Sequence, residues 1–86
     1  MKKQKIKKTE ARILVYLDNV DIPLRYAKAI SMRLGIEYNF LIQRLSEMHY
    51  KEWIHKMKKE NKKYYTITID APIEQAKQIL GDEKNE

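Results

Sequence analysis

Residues 30–69 read ISMRLGIEYNFLIQRLSEMHYKEWIHKMKKENKKYYTITI, and a change of period inside this stretch decides the fold. Up to Tyr50 the apolar positions recur every three or four residues. Leu41, Leu45 and Met48 form one stripe, which predicts a helix from Tyr38 to Tyr50. From Trp53 the period drops to two, with Trp53, His55 and Met57 alternating against Ile54, Lys56 and Lys58, which predicts a strand. Lys59-Glu60-Asn61-Lys62 is a polar turn in which Asn61 tolerates a positive φ. Lys63 to Ile69, rich in Tyr, Thr and Ile, predicts the returning strand of a hairpin.

Working upstream, Gly35 suits the left-handed end of a helix over residues 24–34, which carries Ala27, Ile30 and Leu34 inward. Asn19-Val20-Asp21-Ile22-Pro23 separates it from a first helix over residues 9–19, with Thr9 as N-cap and Ala11, Leu14, Val15 and Leu17 at helical spacing. Downstream, Asp70-Ala71-Pro72 leads into a last helix over residues 73–80, with Pro72 in its first turn and Gly81 as its stop. The order is three helices, a two-stranded hairpin and a short C-terminal helix, an α+β fold without internal repeats. The chain divides into a basic arm (1–8), the main domain (9–70), the C-terminal helix (71–81) and an acidic tail (82–86).

A chain of 86 residues holds one small core. Eighteen Lys and Arg against twelve Asp and Glu give a net charge of +6 and a sequence pI near 9.5, which points to a polyanionic partner. The excess lies in two places. Residues 1–8 hold five lysines and no acid, and residues 55–66 hold Lys56, Lys58, Lys59, Lys62 and Lys63 against Glu60 alone. The absence of cysteine excludes disulfides, thiolate metal sites and cysteine nucleophiles. No apolar run approaches a membrane span, and the basic N-terminus lacks the apolar segment of a signal peptide, which predicts a cytoplasmic protein. Two glycines and two prolines in a Lys/Glu-rich chain lean toward a heat-adapted, archaeal source.

The stretch from Ile30 to Ile69 resembles a winged helix-turn-helix domain, especially the MarR-like regulators of archaea and bacteria. The resemblance rests on Ile30-Ser31, the Leu34-Gly35-Ile36 turn, the stripe Leu41, Leu45 and Met48, then Lys51-Glu52-Trp53-Ile54 and Lys62-Lys63-Tyr64-Tyr65-Thr66-Ile67-Thr68. With the first helix it covers about residues 9–69. That family reads Lys-Gly-Leu-Ile where this chain has Glu52, so the middle helix is expected to end early or fray without its glycine cap. Full MarR-like proteins also carry long dimer-forming helices for which this chain has no room.

The resemblance implies that the helix over residues 37–50 enters the major groove of double-stranded DNA. Its outward positions are then Glu37, Tyr38, Asn39, Ile42, Gln43 and Ser46, with Arg44 at the edge. Asn and Gln pair with adenine and Arg with guanine. Phe40 and Ile42 are apolar for a reading face, and one of them is available to complete the core. The wing residues Lys56, Lys58, Lys59, Asn61, Lys62 and Lys63 suit a phosphate backbone. Their other reading is a hairpin tip kept soluble by charge. Lys5, Lys7 and Lys8 of the arm reach a minor groove on one reading and form a solvated tail on the other.

His49 and His55 lack partners at metal-ligand spacing, two glycines leave no phosphate-cradling loop, and Asp18 and Asp21 flank a turn. The expectation is a non-enzyme without cofactors. Ile73, Ala76, Ile79 and Leu80 share one face of the last helix, which serves either a homodimer or the chain's own core. The rival to a DNA-binding regulator is a winged-helix adaptor binding a protein partner within a replication or transcription complex, which Tyr38, Phe40 and Ile42 favour and the lysines do not.

Overall fold

The computed structural model describes residues 6–21, 23 and 25–84. Its elements are α1 (Lys8–Asn19), α2 (Ala27–Leu34), α3 (Tyr38–Tyr50), β1 (Ile54–Lys59), β2 (Lys62–Ile67) and α4 (Ile73–Lys84), with β1 and β2 antiparallel. This is the expected α+β order of three helices, a hairpin and a helix. Lys2, Lys3 and Lys5 of the arm lie outside the described residues.

Helix α1 is central. It buries Ala11, Ile13, Leu14 and Leu17 completely, a wider face than the stripe read from sequence, because α4 packs on it from one side and α2, α3 and β2 meet it on the other. Ile30, Leu41, Leu45, Met48, Trp53, Ile54, Tyr65 and Ala76 complete the core. Its first turn is capped by Lys7, not by Thr9. The Glu10 carboxylate accepts the Lys7 backbone N–H at 2.9 Å, which satisfies a helix-end group without a hydroxyl.

The second helix starts at Ala27 because the residues before it belong to the sheet. Tyr26 forms an isolated antiparallel bridge with Tyr64, and Arg25 accepts the Tyr65 N–H on its carbonyl at 2.9 Å. Arg25 donates through Nε to the Val20 carbonyl (2.9 Å) and through Nη1 to Thr66 Oγ1 (3.2 Å). Gly35, at φ +66°, closes α2 as expected, with the Ile36 N–H on the Ser31 carbonyl.

Helix α3 neither ends early nor frays. Glu52 itself takes the left-handed conformation, at φ +64°. The Glu52 N–H then donates to the His49 carbonyl and the Trp53 N–H to that of Met48, each at 3.0 Å. These are the two reversed bonds of a Schellman ending, with Met48 and Trp53 both buried in the same core cluster. The Glu52 carbonyl also accepts Thr68 Oγ1 at 2.7 Å, which holds the left-handed residue from the far end of the hairpin.

The hairpin turn is tighter than the four polar residues suggest. Glu60 (φ +51°) and Asn61 (φ +66°) form a two-residue loop of the type I′ kind, so Lys59 and Lys62 pair directly and the strands run 54–59 and 62–67. At the other end Gly81 does not stop α4, which continues to Lys84. A glycine lowers helix propensity by ~1 kcal/mol without forbidding the conformation. Of the α4 stripe, Ala76 is buried in the chain's own core and Ile73, Ile79 and Leu80 pack half-buried against it.

Candidate nucleic-acid interface

Alternation along the hairpin fixes what each face offers. Ile54, Lys56 and Lys58 share a face with their partners Ile67, Tyr65 and Lys63. Ile54 and Tyr65 are buried, so this face leaves the core and turns wholly cationic toward the tip. Lys58 stands opposite Lys63 and Lys59 opposite Lys62. Like charges placed directly across a ladder destabilise a sheet, so the tip carries a repulsion that a polyanion would relieve.

Between this hairpin and α3 runs an open groove. Tyr38, Asn39, Ile42 and Ser46 line it from α3 and Lys28 from α2. Lys56, Asn61, Lys62 and Lys63 line it from the wing, with Tyr26 and Tyr65 between the two sides. Four lysines and the polar side chains of Asn39, Ser46 and Asn61 thus line one concave face. Burial, reinforced by nearby Tyr38, pushes the Tyr65 phenol above its usual range, so it stays neutral.

The wing is latched in place. The Tyr26 and Tyr64 rings meet edge to face at 5.9 Å, and Lys62 Nζ lies 4.8 Å from the Tyr26 ring centroid. At the far end of α3, the fully buried Glu10 carboxylate holds Lys51 Nζ at 3.2 Å, and that ammonium also lies 4.4 Å from the Trp53 ring centroid. These contacts tie α1 and α3 to the start of the wing.

Of the residues singled out in the sequence, Tyr38, Asn39, Ile42, Lys56, Asn61, Lys62 and Lys63 meet in the groove. Gln43, Lys58 and Lys59 are exposed and not among its lining residues, and Lys7 and Lys8, at the start of α1, do not line it either. Arg44 is drawn aside, donating to Glu47 at 2.7 Å and stacking 5.0 Å from the Phe40 centroid. Ile42, not Phe40, packs against the core. Sequence reasoning missed Lys28 and Tyr26. Neither carries a local signal, because the first is an exposed residue on a helix and the second becomes a sheet residue only by pairing with Tyr64. Among the described residues no group of His, Asp and Glu is placed to hold a metal, and no helix is long and apolar enough to cross a membrane.

A helix pair with a Gly35 turn, followed by a latched two-stranded wing, defines the winged-helix fold. Two solved structures share it. One is a crystal structure of a predicted DNA-binding transcriptional regulator from E. coli, with a TM-score of 0.72 and 16% identity over 87% of this chain and 77% of that one. The other is a point mutant of ZitR from Lactococcus lactis, with a TM-score of 0.76 and 19% identity over 99% of this chain but 57% of that one. This chain therefore spans little more than half of ZitR. No family model and no curated protein sequence matches it.

Proposed function

We propose that this chain is a winged-helix transcriptional regulator that binds double-stranded DNA, with α3 in the major groove and the wing lysines along the phosphate backbone. The observation that carries the reading is the groove in which Lys28, Lys56, Lys62 and Lys63 face the polar side chains of α3. Lysines without arginines make point-charge contacts suited to phosphates and poor at bidentate base reading. The MarR-like kind is supported by the helix, turn and Lys-x-x-Ile order of the sequence, and the lysines of residues 1–8, the last of them in the first turn of α1, serve as an additional basic contact.

Fluorescence anisotropy on random-sequence duplex DNA, from about 50 to 300 mM salt, tests this. If about five phosphates are engaged, log affinity falls against log salt with a slope near −4.5. Replacing Lys58, Lys59, Lys62 and Lys63 by Ala weakens binding equally for all sequences and flattens the slope. Undiminished binding by that variant refutes the wing's role. The adaptor reading draws on exposed Tyr38 and Phe40, but Phe40 is already covered on one side by Arg44. Absence of DNA binding even at low salt would favour it.

A further inference from the structure

We infer that the specific site presents A·T pairs to α3, with Asn39 as the specificity-determining residue; this rests on the DNA-binding reading above. The helix carries side chains of both base preferences, and the structure divides them into free and committed. Guanine is read by arginine or lysine and cytosine by a carboxylate, and α3 itself carries no lysine, those of the groove coming from α2 and the wing. Arg44 is the one basic residue of α3 apart from His49, and its side chain is only 13% exposed. One Nη donates to Glu47, the guanidinium stacks on Phe40 and Nε is buried without a partner, and the residue does not line the groove. Glu37 is equally committed. Its two carboxylate oxygens cap the helix, accepting the Asn39 N–H at 3.1 Å and the Phe40 N–H at 3.0 Å.

The side chains left free read the other pair. The Asn39 amide has no hydrogen-bond partner among the described residues and lines the groove. Its backbone is fixed by the Glu37 cap, so the amide is presented from a rigid first turn. Asn pairs in bidentate fashion with the N6 and N7 of adenine; Gln43, one turn further on, has the same chemistry but is exposed outside the groove lining. Ile42, half-buried between them, offers the apolar contact that a thymine methyl accepts. Lys28 and the wing lysines come from the flanks of the groove, where the phosphates of a docked duplex run.

The test is selection of duplexes from a random-sequence pool by the full chain. The selected duplex is then compared with versions in which one A·T pair at a time is changed to G·C, at fixed salt. Selected sites should carry A·T at the contacted positions, and each change should weaken binding about 5- to 150-fold. In Asn39→Ala the affinity ratio of the paired duplexes should fall toward one at a single position. Because each ratio is measured with one protein, a general loss of affinity does not affect it. Enrichment of G·C pairs whose preference is lost in Arg44→Ala overturns the inference, as does pool binding with no enrichment at all. Failure to bind any duplex at about 50 mM salt overturns the DNA-binding reading instead.

Discussion

Glu52→Gly is expected to stabilise the protein. A residue with a Cβ held at φ +64° sits in the left-handed region, which costs roughly 1–2 kcal/mol relative to a helical conformation. Glycine removes that cost but adds unfolded-chain entropy, a loss of about 0.4–1 kcal/mol. The midpoints of these ranges leave a net gain of about 0.8 kcal/mol, or about 3–6 °C in Tm for a domain of this size. The backbone bonds to His49, Met48 and Thr68 do not involve the Glu52 side chain and persist in the variant. Glu52→Ala is the matched control, since it keeps the Cβ and hence the strain. Thermal melts followed by circular dichroism compare the three proteins. If Glu52→Gly melts no higher than Glu52→Ala, α3 does not end on a left-handed residue at position 52 and the chain enters the wing in another direction.

Lys51→Ala leaves the buried Glu10 carboxylate with the Lys7 N–H alone. It is expected to cost about 2 kcal/mol in urea unfolding, less than the loss of a fully buried pair because Lys51 itself is over a third exposed. Tyr26→Ala removes the ring pair and the Lys62 contact, and should lower both Tm and DNA affinity. Tyr26→Phe, which keeps the edge-to-face geometry, should restore most of both. Burial raises the Tyr16 and Tyr65 phenols above 10.0, against the opposing pull of Arg33 on Tyr16. The stability these neutral phenols contribute is therefore complete below pH 10 and lost as pH rises through their folded-state values. Tyr65→Phe should reduce that alkaline loss, read by tyrosinate absorbance alongside ellipticity.

The periods of the sequence were sufficient for the element order. A 3.6-residue stripe through Leu41, Leu45 and Met48, a switch to alternation at Trp53, and Gly35 at a turn are local signals, because side-chain direction repeats with backbone geometry. The wing lysines were legible for the same reason, since a charge run in a hairpin is visible without knowing its surroundings. Boundaries set by distant partners were not legible. The residues before Ala27 are withdrawn from α2 by pairing with Tyr64 and Tyr65, some forty positions away. Glu52 is accepted in place of glycine because Met48, Trp53 and Thr68 hold it there.

The surface of α3 divides along the same line. The sequence by itself determined which side chains α3 carries and that a basic hairpin follows it. The tertiary structure alone decided which of them are free. Arg44 is turned to Glu47 and Phe40 and Glu37 to the helix cap, while Lys28 joins the groove from α2. Residue type fixes the hydrogen bonds a side chain is able to make. Which of them remain available for a partner depends on neighbours that only folding brings within reach.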